Sequence, residues 1–213
     1  MRKISEIYEE YNIMRNLREH QMRVAAVAWQ ICDSLDIEVE TDTIVCACLL
    51  HDMGNIIKFQ LGYFPETLEP EGIDYWSKVK EDFVAKYGVD EHHANLKISE
   101  ELGASQDVLT CVDAIGFDNW ENTHKEGDWD SKISAYADSR VAPWGVAGLE
   151  ERLLDGKKRY IDVSSIEQEM RDVLYDSVRQ IEKEIFSKCS LKPEDITDES
   201  IKSYLEKLKD FEI

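Results

Sequence analysis

The chain has 213 residues and a formal net charge of −20 at pH 7, which argues against a nucleic-acid polymer as partner because phosphate backbones require clustered Lys and Arg. No apolar stretch approaches the roughly 20 residues of a membrane span, and residues 1–6 lack the apolar segment of a secretory signal, so we expect no membrane contact. The five cysteines, odd in number and without a CxxC pair, indicate reduced thiols in a helical core and a cytoplasmic location.

The spacing of apolar residues predicts helices along almost the whole chain, and therefore an all-α fold. The first clear helix covers about residues 16–35, where apolar residues recur three and four positions apart: Val24, Val27, Ala28, Ile31 and Leu35. The next helix covers about residues 41–52 and ends before Gly54. Residues 59–75 hold two of the chain's four prolines and form a loop beside that helix end, a typical place for an active-site lid.

Further helices are predicted near residues 75–87, 91–102, 106–116 and 131–142. The C-terminal part begins with an S-x-x-E capping box at residues 164–167, continues as a long amphipathic helix to about residue 188, and ends in a helix capped by Asp198. We therefore predict a main helical domain over residues 1–160 and a C-terminal helical extension over residues 161–213 that packs on or beside it.

Four polar residues stand where the pattern predicts apolar surroundings. The pair His51-Asp52 closes the apolar run of residues 44–50, His20 lies on the apolar face of its helix, and Asp138 stands at the edge of an apolar stripe. An imidazole or carboxylate buried without a partner costs several kcal/mol, and a divalent metal ion accepts lone pairs from both. A single buried histidine is more often a hydrogen-bonded core residue, but the ordered set of four favours one shared ion.

Three short segments carry a resemblance to a known family: residues 18–25 (REHQMRVA), 49–55 (LLHDMGN) and 136–141 (YADSRV). In that order they resemble the first motif, the central LLHDiGK motif and the closing Asp motif of the HD-domain superfamily of metal-dependent phosphohydrolases. The resemblance covers about residues 15–160 and identifies the main domain as an HD domain, a helical bundle. It implies one divalent ion (Mn, Co, Fe, Mg, Ni or Zn) held by four ligands: His20, His51, Asp52 and Asp138.

Two departures from the family pattern bear on the site. The Lys that often follows the Gly of the central motif is Asn55 here, and Lys58 is either the replacement for its charge or a surface lysine. Family members with two ions have two further histidines; His92 matches the first, no histidine stands where the second is expected, and His124 comes several residues later. The resemblance therefore implies a mononuclear site, with His92 as a substrate-facing or proton-transfer group or, equally, in a solvent-facing pair with His93.

The implied reaction is hydrolysis of a small phosphate ester, with a nucleotide as the leading substrate class and monophosphatase activity first. By family analogy Asp52 helps to orient the attacking water, and His92 is the second candidate catalytic residue. Arg23, Arg140 and Lys58 are candidates for offsetting phosphate charge, each with a surface or salt-bridge role as the alternative. Four aromatic residues either stack on a base or pack in the core: Tyr63, Phe64, Trp76 and Trp120.

Two other classes of protein remain open. A catalytically degenerate HD domain that serves as a nucleotide-binding or protein-interaction module is supported by the missing Lys after Gly54 and by the absent second histidine. The four intact ligands count against it. The third alternative is a structural helical protein whose amphipathic C-terminal helix forms a homodimer. Metal analysis combined with a panel of phosphate esters separates the enzyme from the binding module.

Overall fold

Helices form almost all of the regular structure in the residues that the computed structural model describes, which are 2–63, 65–160 and 168–213. The α-helices in these ranges are α1 (Ile4–Glu10), α2 (Arg15–Cys32), α3 (Thr41–Leu50), α4 (Ile73–Tyr87), α5 (Glu91–Glu101), α6 (Gln106–Ile115), α7 (Trp120–Glu126), α8 (Trp129–Asp138), α9 (Leu149–Tyr160), α10 (Gln168–Phe186) and α11 (Lys202–Leu208). Short 3-10 helices cover Asn55–Lys58, Pro65–Leu68, Phe117–Asn119 and Pro193–Asp195. The all-α fold predicted from the sequence is confirmed.

The strands within the described ranges are two short antiparallel segments, β1 (Val141–Ala142) and β2 (Gly145–Val146), which form a hairpin. The register pairs Val141 with Val146 and Ala142 with Gly145. The sequence predicted that the preceding helix extends to residue 142; that prediction is wrong, because α8 ends at Asp138. Pro143 provides the physical reason, since the residue before a proline is disfavoured in helical conformation.

The buried core is centred on α3, which packs against α2, α6 and α8. This helix is buried along most of its length because its sequence is almost wholly apolar. The stripe predicted on the facing helix α2 is buried at four of its five positions: Val24, Val27, Ala28 and Ile31. Helices α2 and α8 also contact each other, so the three helices that position the candidate ligands form one packed unit.

The C-terminal helices pack on this core. Helix α10 lies against α7 and α8, and α11 lies against α2, with buried side chains in the same apolar cluster: Leu174, Val178, Ile181, Ile185, Ile201 and Leu208. The capping box at residues 164–167 lies outside the described residues, and the division of the chain at residue 160 stays a prediction. The last helix begins at Lys202, so the prediction that Asp198 caps it is wrong. Thr197 and Ser200 instead form a turn, in which each backbone N–H donates to the other hydroxyl at 2.9 and 3.2 Å.

The segment of residues 59–75 is anchored at its first residue and near its middle. Lys80 Nζ donates to the backbone oxygen of Phe59 at 2.6 Å, and Trp76 Nε1 donates to that of Leu68 at 3.1 Å. The role of this segment as a lid stays a prediction. Within the described ranges, no helix combines the length and apolarity that crossing a membrane requires.

Candidate metal centre

Three packed helices bring together the four residues predicted as metal ligands. His20 lies in α2, His51 and Asp52 directly follow the last residue of α3, and Asp138 is the last residue of α8. The backbone of a residue at a helix end lies close to the core, while its polar side chain extends beyond the apolar face of the helix. Because α2, α3 and α8 contact one another, the four side chains converge.

The Nε2 atoms of both imidazoles face carboxylate oxygens. Nε2 of His20 lies 2.9 Å from Oδ1 of Asp138 and 3.6 Å from Oδ2 of Asp52. Nε2 of His51 lies 3.5 Å from Oδ1 of Asp138 and 3.6 Å from Oδ1 of Asp52. One ligand atom from each of His20, His51 and Asp52 lies within 4.8 Å of the other two. Atoms that share a divalent ion at about 2.1 Å lie about 3 to 3.4 Å apart, so the observed separations are close to what one ion requires.

The imidazole of His51 fits a metal ligand by its hydrogen bonding. The ring is buried, and Nδ1 lies 2.8 Å from the backbone oxygen of Cys48. A carbonyl oxygen only accepts, so in the neutral ring Nδ1 carries the hydrogen and Nε2 presents its lone pair to the carboxylates. This Nε2 atom has no hydrogen-bond partner among the residues that the structure describes. An unpaired buried acceptor costs about 1–3 kcal/mol, a cost that a metal ion would remove.

The electrostatics of the metal-free cluster also favour a cation. Burial by itself lowers the pKa of His51, but Asp52 and Asp138 outweigh it and raise this pKa to about 9. Burial raises the pKa of Asp138, but the hydrogen bond from His20 and the nearby imidazole of His51 outweigh it and hold this pKa well below its usual value. Asp138 therefore stays ionised and attracts positive charge. Protons on the two histidines and a metal ion compete for the same position beside it.

Two buried amides hold the turn that carries Asp52, and the sequence analysis missed both. The backbone N–H of Asp52 donates to Oε1 of Gln21 at 3.4 Å, and that of Gly54 donates to Oδ1 of Asn95 at 2.6 Å. A Cβ atom at Gly54 would lie 2.6 Å from Cβ of Ala94, so this position requires glycine because α5 approaches the turn closely. The sequence signal that could have identified Gln21 and Asn95 is an amide side chain on a helix face that also carries apolar residues.

The remaining predicted histidines lie in other polar contacts. Nε2 of His92 is 2.9 Å from Oδ1 of Asp113, and Nε2 of His124 is 3.3 Å from a carboxylate oxygen of α10. His93 is exposed near the start of α5. Neither His92 nor His124 belongs to the group of ligand atoms around His20. The catalytic role of His92 and the number of bound ions stay predictions.

Two of the predicted phosphate-binding cations lie in ion pairs near the surface. The guanidinium of Arg23 in α2 is 3.9 Å from carboxylates of Glu19 and of Asp198. Nζ of Lys58 lies 3.5 Å from Oε1 of Glu91, and the Lys58 side chain is 45% exposed. Long, solvated pairs of this kind contribute little to stability. Their role in binding phosphate stays a prediction.

Arg140 differs from these two cations, and its geometry counts against the predicted phosphate contact. The residue is only 2% exposed. Its guanidinium donates four hydrogen bonds inside the protein: to the backbone oxygen of Ala147 (2.6 Å), the hydroxyl of Tyr136 (2.7 Å), and the backbone oxygens of Pro193 (3.1 Å) and Ile196 (3.3 Å). These contacts hold the guanidinium inside the protein, and the role of Arg140 in binding phosphate stays a prediction.

The aromatic residues considered for base stacking lie in different surroundings. Trp76 and Trp120 are each 5% exposed, so both pack in the core. Tyr63 is 73% exposed, and Phe64 lies outside the described residues. Among these four, Tyr63 is therefore the described side chain that is largely exposed to solvent.

Comparison with protein families adds an independent finding. The family model described as HD domain matches residues 17–128, slightly more than half of the chain. The matched residues include His20 and the His51-Asp52 pair, whereas Asp138 follows the match. No curated protein and no solved structure matches the chain.

Proposed function

Since this chain belongs to the HD-domain family, we propose that it is a metal-dependent phosphohydrolase with one divalent ion held by four residues: His20, His51, Asp52 and Asp138. The observation that carries this proposal is the buried Nε2 atom of His51. This atom has no hydrogen-bond partner in the described part of the chain and lies within 3.6 Å of two carboxylates. In the neutral ring, which is the form that binds a metal ion, it presents a lone pair. An imidazole nitrogen and carboxylate oxygens in this arrangement are a donor set for a first-row divalent metal.

The protein's part in the reaction is to hold and orient groups. A bound divalent ion supplies a Lewis acid that acidifies water and neutralises charge developing on a phosphoryl oxygen. The hydrogen bond from Nδ1 of His51 to Cys48 fixes the tautomer that leaves Nε2 as a ligand. Asp52, held by Gln21 at its backbone, orients the attacking water. His92, whose ring is paired with Asp113, transfers a proton at the substrate.

The proposed substrate is a small phosphate ester, with a nucleoside monophosphate first. A protein with a net charge of −20 repels anions at long range, so a phosphorylated substrate needs cations close to the site. Arg23 lies three residues after His20 on α2, within one helical turn. Lys58 ends the 3-10 helix that follows the His51-Asp52 turn. Both cations are therefore close in sequence to a ligand and have a side chain that reaches solvent.

One observation favours the alternative of a catalytically degenerate HD domain that binds a nucleotide. Asn55 stands where the central motif of the family often has lysine, and it is buried, with its amide oxygen 3.5 Å from Nδ2 of Asn95. This position therefore supplies no cation to a ligand. The alternative predicts binding of metal and nucleotide without turnover.

The test combines metal analysis with a substrate panel. The purified protein is stripped with a chelator, reloaded separately with Mn, Co, Fe, Mg, Ni or Zn, and assayed on nucleoside mono-, di- and triphosphates, a cyclic dinucleotide and an aryl phosphate. We expect one ion per chain and release of inorganic phosphate from a monophosphate, abolished by the chelator. Metal binding without hydrolysis of any compound would support the binding module, and failure to bind any of the ions would contradict the metal site.

A further inference from the structure

The chain is held firmly just after Asp138, the last residue of α8. Arg140 comes two residues later, and its backbone N–H donates to the oxygen of Ala137 at 3.2 Å. Its backbone oxygen accepts a hydrogen bond from the N–H of Ala147 at 2.8 Å. In addition, Ser139 Oγ donates to the backbone oxygen of Tyr136 at 2.6 Å. Backbone hydrogen bonds therefore hold the main chain of residues 139–140, directly after this candidate ligand.

The guanidinium of Arg140 joins this turn to a part of the chain about fifty residues later in sequence. Its Nη2 atom donates to the backbone oxygens of Pro193 and Ile196, at 3.1 and 3.3 Å. Its Nε atom donates to the backbone oxygen of Ala147, directly after β2, at 2.6 Å. A planar, rigid fork with five donors can hold backbone segments that lie far apart, whereas the three donors of a lysine ammonium all leave from one nitrogen atom.

Tyr136 extends this connection to α10. Its hydroxyl is buried, accepts a hydrogen bond from Nη1 of Arg140 at 2.7 Å, and donates to Oε2 of Glu182 at 2.6 Å. A phenol hydroxyl can donate and accept a hydrogen bond at the same time, so it fills both roles. The Arg140–Tyr136–Glu182 chain therefore links the turn after Asp138 to the C-terminal helix α10.

The same C-terminal segment also reaches the helix that carries His20. Oδ1 of Asp198 accepts a hydrogen bond from the backbone N–H of Val146 at 3.2 Å and lies 3.9 Å from Nε of Arg23 in α2. Residues 193–198 are therefore in contact with the hairpin after Asp138 and with α2. This segment therefore lies beside both helices whose side chains meet in the His20–Asp138 contact.

We propose that Arg140 is a positioning residue for Asp138 and that the C-terminal segment thereby completes the metal centre. The inference rests on the proposed function, because it needs the metal site. Asp138 stands at a helix end, where the helical hydrogen-bond ladder no longer fixes the following backbone. A ligand whose supporting contacts are lost shifts relative to the other ligands, and losses of this kind typically lower metal affinity about 10–100-fold.

The test measures metal binding by the full-length chain, independently of activity. Wild type, Arg140→Lys, Tyr136→Phe and the control Arg179→Met are titrated with Co²⁺ by calorimetry and by visible absorption. Arg179 is a matched control because it also ties α10 to another helix, donating to Glu150 of α9 at 2.6 and 2.9 Å. Within the described residues its hydrogen bonds and ion pairs go to Glu150 and Asp176 and not to Arg140, Tyr136 or Glu182. We expect one ion in wild type, a Kd raised about 10–100-fold in the first two variants, and a changed cobalt spectrum because the coordination geometry changes. Arg179→Met should match wild type in both readouts.

The outcomes separate this inference from the proposed function. Circular dichroism first establishes that each variant is folded at the titration temperature. If Arg140→Lys does not fold, Tyr136→Phe decides, since it removes only one oxygen atom. Failure of wild type to bind Co²⁺ would overturn the proposed function and this inference together. Binding by wild type with the same Kd and spectrum in the folded variants would overturn the positioning role alone, and so would an equal change in Arg179→Met.

Discussion

Nε2 of His20 lies 2.9 Å from Oδ1 of Asp138, although 118 residues separate them in the chain. This contact joins α2 to the end of α8, and the buried ring of His51 completes the group from α3. In the metal-free protein a hydrogen atom lies between the His20 nitrogen and the Asp138 oxygen. A metal ion bound by both atoms must replace that hydrogen, so metal binding, pH and stability are coupled at this site.

Metal binding should stabilise the native state. An ion that binds only the folded chain adds about 2.7 kcal/mol at a free concentration of 100 times its Kd. For a domain of 150–250 residues this raises the melting temperature by about 5–10 °C. Differential scanning fluorimetry of chelator-treated protein with Mn, Co, Ni or Zn measures the shift. Asp138→Asn should reduce it, and the absence of a shift with every ion would contradict the assignment of these ligands.

Asp52→Ala should abolish phosphate release while leaving a folded helical protein. The carboxylate is a candidate ligand and orients the water, whereas the surrounding helices are held by apolar contacts that the substitution does not touch. Activity on the best substrate, circular dichroism and metal content are measured together. Asp107→Ala, an exposed aspartate in the first turn of α6, is the control and should keep full activity. Full turnover by Asp52→Ala would show that the catalytic centre lies elsewhere.

The stability of the metal-free protein should fall as pH rises from about 6.5 to about 9. The pKa of His51 is raised from an ordinary value of 6.5 to about 9 in the folded chain. Its stabilisation is therefore fully present below pH 6.5 and is lost as pH rises through about 9, with each pKa unit worth about 1.4 kcal/mol. Metal affinity should change in the opposite direction, because the ion needs the deprotonated ring.

Urea unfolding of chelator-treated protein at several pH values checks the first trend, and metal titration at the same pH values checks the second. His51→Gln is the control, since it removes the titrating group and should flatten the decline in stability over this range. A metal-free protein whose free energy of unfolding rises between pH 7 and 9 would contradict the cause assigned to the shift.

Gly54→Ala should destabilise the protein and weaken metal binding. The added Cβ would lie 2.6 Å from Cβ of Ala94 and 3.1 Å from Oδ1 of Asn95, so α5 or the turn after Asp52 must shift. Overpacking of this kind costs about 1–3 kcal/mol. Gly62→Ala is the matched control, because no atom of the described residues other than its chain neighbours lies within 4 Å of the added Cβ there. Equal unfolding free energies and metal affinities for the two variants would show that the close approach has no energetic consequence.

The same position shows how far the sequence predicted the site. Periodic apolar residues predicted the helices that carry the ligands, and a polar group at the edge of each stripe identified His20 and Asp138. The sequence predicted that Gly54 ends a helix. In the structure, a Cβ added at Gly54 would lie nearest to Ala94, in a helix that is remote in sequence. Such contacts between helices have no periodic signal, which is why Gln21 and Asn95 were also missed.

Arg140 illustrates a second limit. Its position two residues after a candidate ligand suggested an exposed cation facing phosphate, because a charged side chain is seldom buried without partners. Its partners are the hydroxyl of Tyr136 and backbone oxygens of the hairpin and of residues 193–196. Backbone acceptors carry no residue-specific signal, so an arginine held by carbonyls cannot be distinguished from a surface arginine in a single sequence.

Lys58 and the segment of residues 59–75 should act together in binding substrate phosphate. With one ion in the site, the phosphate must be oriented by protein cations, and Lys58 directly precedes this segment. Its pair with Glu91 is 3.5 Å long and 45% of its side chain is exposed, so the loss of this pair in Lys58→Ala should change the free energy of unfolding by less than about 1 kcal/mol. It should raise KM for the best substrate several-fold while leaving kcat nearly unchanged.

The control is Lys78→Ala, which removes a lysine from an equally long pair with Asp82 at 3.5 Å on α4. Both variants lose one positive charge from a solvated pair, so a general electrostatic effect would raise KM equally in both. We expect only Lys58→Ala to raise it, since Lys78 does not adjoin the His51-Asp52 turn. Hydrogen exchange with and without metal and nucleoside monophosphate should show increased protection across residues 59–75 when the ligand binds, because a closing lid shields its backbone. Unchanged protection, together with an unaffected KM in Lys58→Ala, would remove the support for a lid.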